Sequence, residues 1–145
     1  MDKLHEYIKS RLETNYFIAH MGLKLKSVAI GEAVLEVDIQ KHHLQQNGFT
    51  HGGVTATLCD VATGIAAYSA APTGKNVVTA DLKISYLNPS TAPVVRAKGS
   101  VKKAGNLLFF CEAEVYDVNN GEEKLVATCT AIMVAVDIPL SSEVK

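Results

Sequence analysis

The chain has no excess of either charge, no paired cysteine pattern and no uninterrupted apolar run long enough to cross a bilayer. Fourteen lysines and arginines face fifteen aspartates and glutamates, a formal net charge of −1. The basic residues are scattered, so neither nucleic acid nor an anionic membrane surface is expected as the main partner, while an acidic small molecule is not excluded. The three cysteines, Cys59, Cys111 and Cys129, are odd in number, lack CxxC spacing and sit inside apolar runs. They read as reduced, buried thiols of a cytoplasmic protein. The opening MDKLHEYIKS has no apolar h-region, and the longest apolar stretch is broken by Asp60 and several threonines. Neither a signal peptide nor a membrane span is expected. Repeats, linkers and low-complexity segments are also missing. With 145 residues, 48% of them hydrophobic, one domain with a real core is expected.

What stands out is the stretch from Gln45 to Ala71, QQNGFTHGG followed by VTATLCDVATGIAAYSAA. A glycine-broken loop runs into an apolar helix whose one charge is Asp60. Val54, Leu58, Val61, Ala62, Ile65 and Ala66 recur at helical spacing, and small residues fill the rest, so no face is properly polar. Such a helix belongs in an interior. An aspartate held there must be neutralised, paired or hydrogen-bonded, and carboxylates so placed often do chemistry.

Around this helix the pattern is simple. Asp2 caps a first helix with an apolar stripe of Leu4, Tyr7, Ile8 and Leu12, while Lys3, Glu6, Lys9, Arg11 and Glu13 face water; the helix is expected to end near Asn15. From Leu23 the period becomes two, with Gly31 at a turn or bulge and Ala33, Leu35, Val37 and Ile39 alternating with Val34, Glu36 and Asp38. The apolar helix should stop near Pro72 to Gly74. Four strands follow. Val78, Ala80, Leu82, Ile84 and Tyr86 alternate with Thr79, Asp81, Lys83 and Ser85. A second strand runs from Pro93 to Lys103, a third from Leu107 to Val118 and a fourth from Lys124 to Val136, with hairpin turns at Ala104–Gly105–Asn106 and Asn119–Asn120–Gly121. An α+β architecture is expected, a meander curled around one buried helix. The sheet's outer face or edges would then need cover, which predicts a homodimer or higher oligomer.

The runs NGFTHGGVTATLCD, VVTADLKISYLNP and VKKAGNLLFF resemble the PaaI-like branch of the hotdog-fold acyl-CoA thioesterases. The likeness spans about Met21 to Val136. It implies a helix and loop over 1–20, a hotdog domain over 21–138 and a polar tail over 139–145. It also implies an acyl-CoA substrate, no cofactor or metal, and a homodimer, arranged as a dimer of dimers, whose sites are shared between subunits.

Thioester hydrolysis needs an activated oxygen and a place for negative charge on the carbonyl. Gly52 and Gly53 enter the helix at the positive end of its dipole, where backbone N–H groups lack intrahelical partners, which suits an oxyanion hole. Asp60 lies eight residues beyond Gly52, about 12 Å along a helix, too far to serve a carbonyl bound at its own Gly52. The resemblance places Asp60 opposite the glycine of the other subunit, as nucleophile or as general base on water. Gln45, seven residues before Gly52, stands where many relatives carry asparagine, and Asn47 could substitute for it. His51 is implied to be a prop for the glycine loop, while His42 and His43 read as loop and surface residues with no metal-ligand spacing. Cys59 reads as core. Thr79 and Asp81 share one strand face by alternation, and Thr79 matches a position that orients the nucleophile or water. Asp81 and Tyr86 match positions near pantetheine and nucleotide, and Lys103, Gly105 and Asn106 the hairpin tip that meets the CoA phosphates. Two other functions compete. A hotdog enoyl-thioester hydratase or dehydratase needs a His and an acid placed at carbon, and a non-catalytic acyl-CoA sensor has little need of Asp60.

Overall fold

The computed structural model describes residues 2–137, and the tail expected over 139–145 lies outside the described residues. Asp2 caps α1 (Lys3–Glu13) by accepting the Leu4 N–H at 3.1 Å. The segment after it is not a loop. Asn15 caps a second short helix, α2 (Tyr16–Met21), which Gly22 ends with φ of 76°. Six residues carry too little periodicity to announce a helix, and only the cap marks it.

Strands β1 (Leu23–Ala29) and β2 (Glu32–Asp38) form a hairpin, and α3 (Gly52–Ala70) follows a 3-10 turn at Lys41–His43. Then come β3 (Asn76–Tyr86), β4 (Val94–Ala104), β5 (Leu108–Asn119) and β6 (Glu122–Val136). At the last hairpin Asn120 and Gly121 have φ of 51° and 80°, the two positive values that a tight two-residue turn requires.

The sheet is antiparallel throughout, in the order β1-β2-β4-β5-β6-β3. The expected meander is therefore interrupted. β3 does not pair with β4 but crosses to the far edge beside β6, leaving β4 to pair with β2. Strand alternation cannot specify this order, because each strand has one apolar face wherever it lies.

The sheet curls around α3, whose Leu58, Cys59, Ala62, Thr63, Ala66 and Ala67 are fully buried. Contact is closest at Gly99 of β4, where a Cβ atom would lie 2.6 Å from the backbone of Ala62. The opposite sheet face is wet and charged: Arg96 bridges Glu36 and Glu123, Lys98 pairs with Glu123 at 2.8 Å, and Lys102 with Glu112 at 3.5 Å. That face solvates itself. β3 is one of the two sheet edges, and its Val78 is exposed.

Candidate active site

The glycine loop is held from three sides. His43 is buried, which corrects its reading as a loop or surface residue: its Nδ1 accepts the Gln40 N–H at 2.9 Å, and its Nε2 lies 2.8 Å from the Met21 carbonyl oxygen. Its own carbonyl accepts the His51 N–H at 2.8 Å. Next, His51 is the N-cap of α3, and its Nδ1 accepts the Gly53 N–H at 2.8 Å. That bond removes Gly53 from the expected pair of oxyanion donors. The Gly52 N–H has no partner among the described residues. Finally, Tyr86 donates its hydroxyl to the Gly52 carbonyl at 2.7 Å, and its ring would lie 3.4 Å from a Cβ at position 52. Burial raises the Tyr86 phenol above its ordinary value, so the hydroxyl stays protonated and donates. Tyr86 thus supports the glycine.

Gln45, Gly52, Thr55 and Tyr86 line one groove of about 370 Å³. Gln45 closes its own loop: its carbonyl accepts from Gly48 at 3.0 Å and its side-chain oxygen accepts the Asn47 N–H. Asn47 is exposed and is not part of the groove wall.

Asp60 is elsewhere. It is half-exposed in the single chain rather than buried, and it lines a different cavity of about 270 Å³ with Thr79, Met133 and residues of α1 and α2. Thr79 donates its hydroxyl to Asp60 Oδ1 at 2.6 Å, while its oxygen also lies 3.4 Å from Met133 Sδ. The other carboxylate oxygen, Oδ2, has no hydrogen-bond partner among the described residues.

This contact exists because of a β-bulge. Thr79 pairs with Met133 and Asp81 with Ile132, neighbours that point to opposite faces, so Ala80 is the extra residue. The expectation that Thr79 and Asp81 share a face is therefore wrong. Thr79 turns inward onto Asp60, in company with Leu82 and Ile84 beyond the bulge, and Asp81 turns out to solvent. Lys103, Gly105 and Asn106 are exposed at the β4–β5 hairpin and share neither cavity. Cys59 is fully buried, and a hydrogen bond with Cys129 together with burial drives its thiol far above the ordinary range, which rules it out as a nucleophile.

The sequence reading missed Arg11. It does not simply face water: its guanidinium lies 4.9 Å from the ring centre of Tyr68, and it lines the Asp60 cavity. The available signal was the Tyr7/Arg11 spacing, four residues apart on one helix face.

The structure thus holds a glycine N–H at a helix start, and an acid two turns on that is hydrogen-bonded to a hydroxyl of an edge strand, and residues 47–124 match the model of the thioesterase superfamily. The chain belongs to that family. This thioesterase is 32% identical over 113 residues to a Halobacterium salinarum protein named as an esterase, with 74% of each chain covered. It is 29% identical over 126 residues to human acyl-coenzyme A thioesterase 13, covering 86% of this chain and 88% of that one. Among solved structures, a thioesterase family protein from Silicibacter pomeroyi superposes with a TM-score of 0.87 at 28% identity, covering 92% and 98% of the two chains. The E. coli PaaI protein of the phenylacetic acid degradation operon shares the fold, with a TM-score of 0.81 at 23% identity over 92% and 94%. The protein is a thioester hydrolase of PaaI-like hotdog fold, as the resemblance implied. No helix among the described residues is long and apolar enough to cross a membrane.

Proposed function

We propose that this thioesterase hydrolyses an acyl-CoA, aryl-acetyl or of short to medium chain, to the free acid and CoA, using Asp60 of one protomer and the Gly52 N–H of its partner. The observation that carries the reading is Asp60 itself, with Oδ1 fixed by Thr79 at 2.6 Å and Oδ2 without a hydrogen-bond partner among the described residues, in a cavity of mixed polar and apolar lining. A carboxylate whose rotamer is set on one oxygen presents the other to water or to a carbonyl carbon. Water deprotonated by Asp60, or Asp60 itself, adds to the carbonyl carbon, and the Gly52 N–H holds the tetrahedral oxyanion. Its collapse breaks the C–S bond, the thiolate takes up the proton that water releases, and in the nucleophilic route that water hydrolyses the anhydride to free acid and Asp60. Single turnover in oxygen-labelled water separates the two routes, since label enters Asp60 only through an anhydride.

Two separate cavities for Asp60 and Gly52 support a homodimer with shared sites, formed along the exposed β3 edge, with pairs of dimers as the further step. No cofactor is needed for this chemistry, and the reduced, buried cysteines suit a cytoplasmic setting. The hydratase reading finds less support, because His51 spends Nδ1 on the Gly53 N–H rather than facing a substrate carbon.

The test is release of free thiol from a panel of aryl and aliphatic acyl-CoAs. Asp60→Asn is expected to lower turnover by roughly 10²–10⁴-fold with the fold intact. Full activity in that variant removes Asp60 from the mechanism, and acyl-CoA binding without any hydrolysis by the native protein turns the reading to a sensor.

A further inference from the structure

The Asp60 cavity has two unlike ends. One is the Asp60–Thr79 pair. From there the cavity follows α3 along Val61, Gly64 and Ile65, with Ile8 of α1 opposite. Gly64 widens it: a Cβ there would meet nothing nearer than Met133 Cε at 4.0 Å. Two helical turns from Asp60, about 12 Å along the axis, stands Tyr68. Its ring stacks on Tyr7 with centroids 6.4 Å apart, and Arg11 lies over it.

Arg11 has no counter-ion. No carboxylate among the described residues lies within ion-pair distance of it, whereas the chain's other arginine, Arg96, is shared by Glu36 and Glu123. It is half-buried, its flat face rests on aromatic rings, and it hydrogen-bonds the hydroxyls of Tyr7 and Tyr68, both uncharged acceptors. Those contacts hold α1 on α3 but bring no negative charge to the guanidinium, and its five N–H donors outnumber the two hydroxyls. The group that supplies that charge to a planar fork at the end of this cavity is a carboxylate, bound through paired charge-assisted hydrogen bonds.

We infer that Arg11 is a specificity-determining residue, and that the preferred substrates are thioesters whose acyl chain ends in a second carboxylate, the mono-CoA thioesters of medium-length dicarboxylic acids. This rests on the reading of Asp60 as the hydrolytic end of the same cavity. The thioester carbonyl sits at Asp60, the methylenes run past Gly64, and the distal carboxylate meets Arg11. The chain length is set by the Asp60–Tyr68 spacing, so both short and very long diacids fit poorly.

The experiment compares matched pairs, adipyl- against hexanoyl-CoA and suberyl- against octanoyl-CoA, by thiol release from the native protein and from Arg11→Met and Arg11→Lys. Arg11→Met keeps an apolar stem of similar reach and removes the charge. The expected result is a native kcat/KM ratio favouring the carboxylated member by roughly tenfold or more. In Arg11→Met that ratio collapses, mainly through KM, and Arg11→Lys restores part of it. Circular dichroism and thermal melting establish that each variant is folded. If Arg11→Met does not fold, Arg11→Lys carries the test, since a point charge without the fork must lower the ratio. Equal hydrolysis of the two series by the native protein overturns the inference and leaves the acyl-CoA reading standing, as does a ratio unchanged in Arg11→Met. No hydrolysis of any member overturns that reading and the inference with it.

Discussion

Thr79 and Asp60 are nineteen positions apart, yet their side chains are joined by a hydrogen bond of 2.6 Å. The hydroxyl has one proton, and giving it to Oδ1 selects one rotamer of the carboxylate. Met133 Sδ is a poor competitor for it. Thr79→Val keeps the shape and removes the donor, so kcat should fall by roughly tenfold or more while KM changes little, because the lost bond positions a reacting group rather than binding substrate. A changed KM at constant kcat, read from full saturation curves, would place Thr79 in the substrate wall instead. At the same scale, His51 illustrates a residue whose chemistry is spent on the backbone. As N-cap it accepts from Gly53 and fixes the start of α3, which leaves Gly52 as the free donor. The HGG motif was plain in the sequence, but which of its two glycines keeps a free N–H was not, because that depends on the direction in which the imidazole folds.

At the scale of elements, the decisive contact is α3 against β4. The backbone of Ala62 sits so near Gly99 that a methyl group there would overlap it. Gly99→Ala should therefore push the helix from the sheet and cost about 1–3 kcal/mol, measurable as a lower denaturant midpoint with unchanged slope. Unchanged stability would mean that α3 shifts freely within the barrel of the sheet. The same helix explains why its sequence is legible: Leu58, Ala62, Ile65 and Ala66 announce an interior helix by their spacing, and they are buried as expected. β3 is the contrary case. Its alternation runs unbroken through Val78, Ala80 and Leu82, yet the bulge at Ala80 reverses the face presented before it. The period of two carries no mark of one extra residue when the residues on both sides are small or β-branched. Helix α2 escaped for a different reason, being a single turn and a half with only Asn15 to signal it.

For the whole molecule, the main consequence of the fold is that the glycine loop and Asp60 line separate cavities. Gln45, Gly52 and Tyr86 gather at the entry to α3, Asp60 and Thr79 two turns further on, and the helix between them is too stiff to bring the two groups together. Mixing Asp60→Asn with Gln45→Ala, each nearly inactive alone, should recover part of the native activity through heterodimers, since one composite site per pair is then intact. Subunit exchange shown by mass, without recovery in the thiol assay, would count against shared sites. What the sequence by itself determined is what short-range periodicity and residue chemistry can carry: an apolar central helix, the hairpin turns, the strand count after it, the glycine at the helix start and the lone acid. Only the tertiary structure decided the crossing of β3 to the far edge, the bulge that turns Thr79 onto Asp60, the burial of His43 and the seat of Arg11 over Tyr68. These are contacts between segments far apart in the chain, and nothing in local spacing distinguishes a strand edge from a strand centre or an arginine in water from one on an aromatic ring.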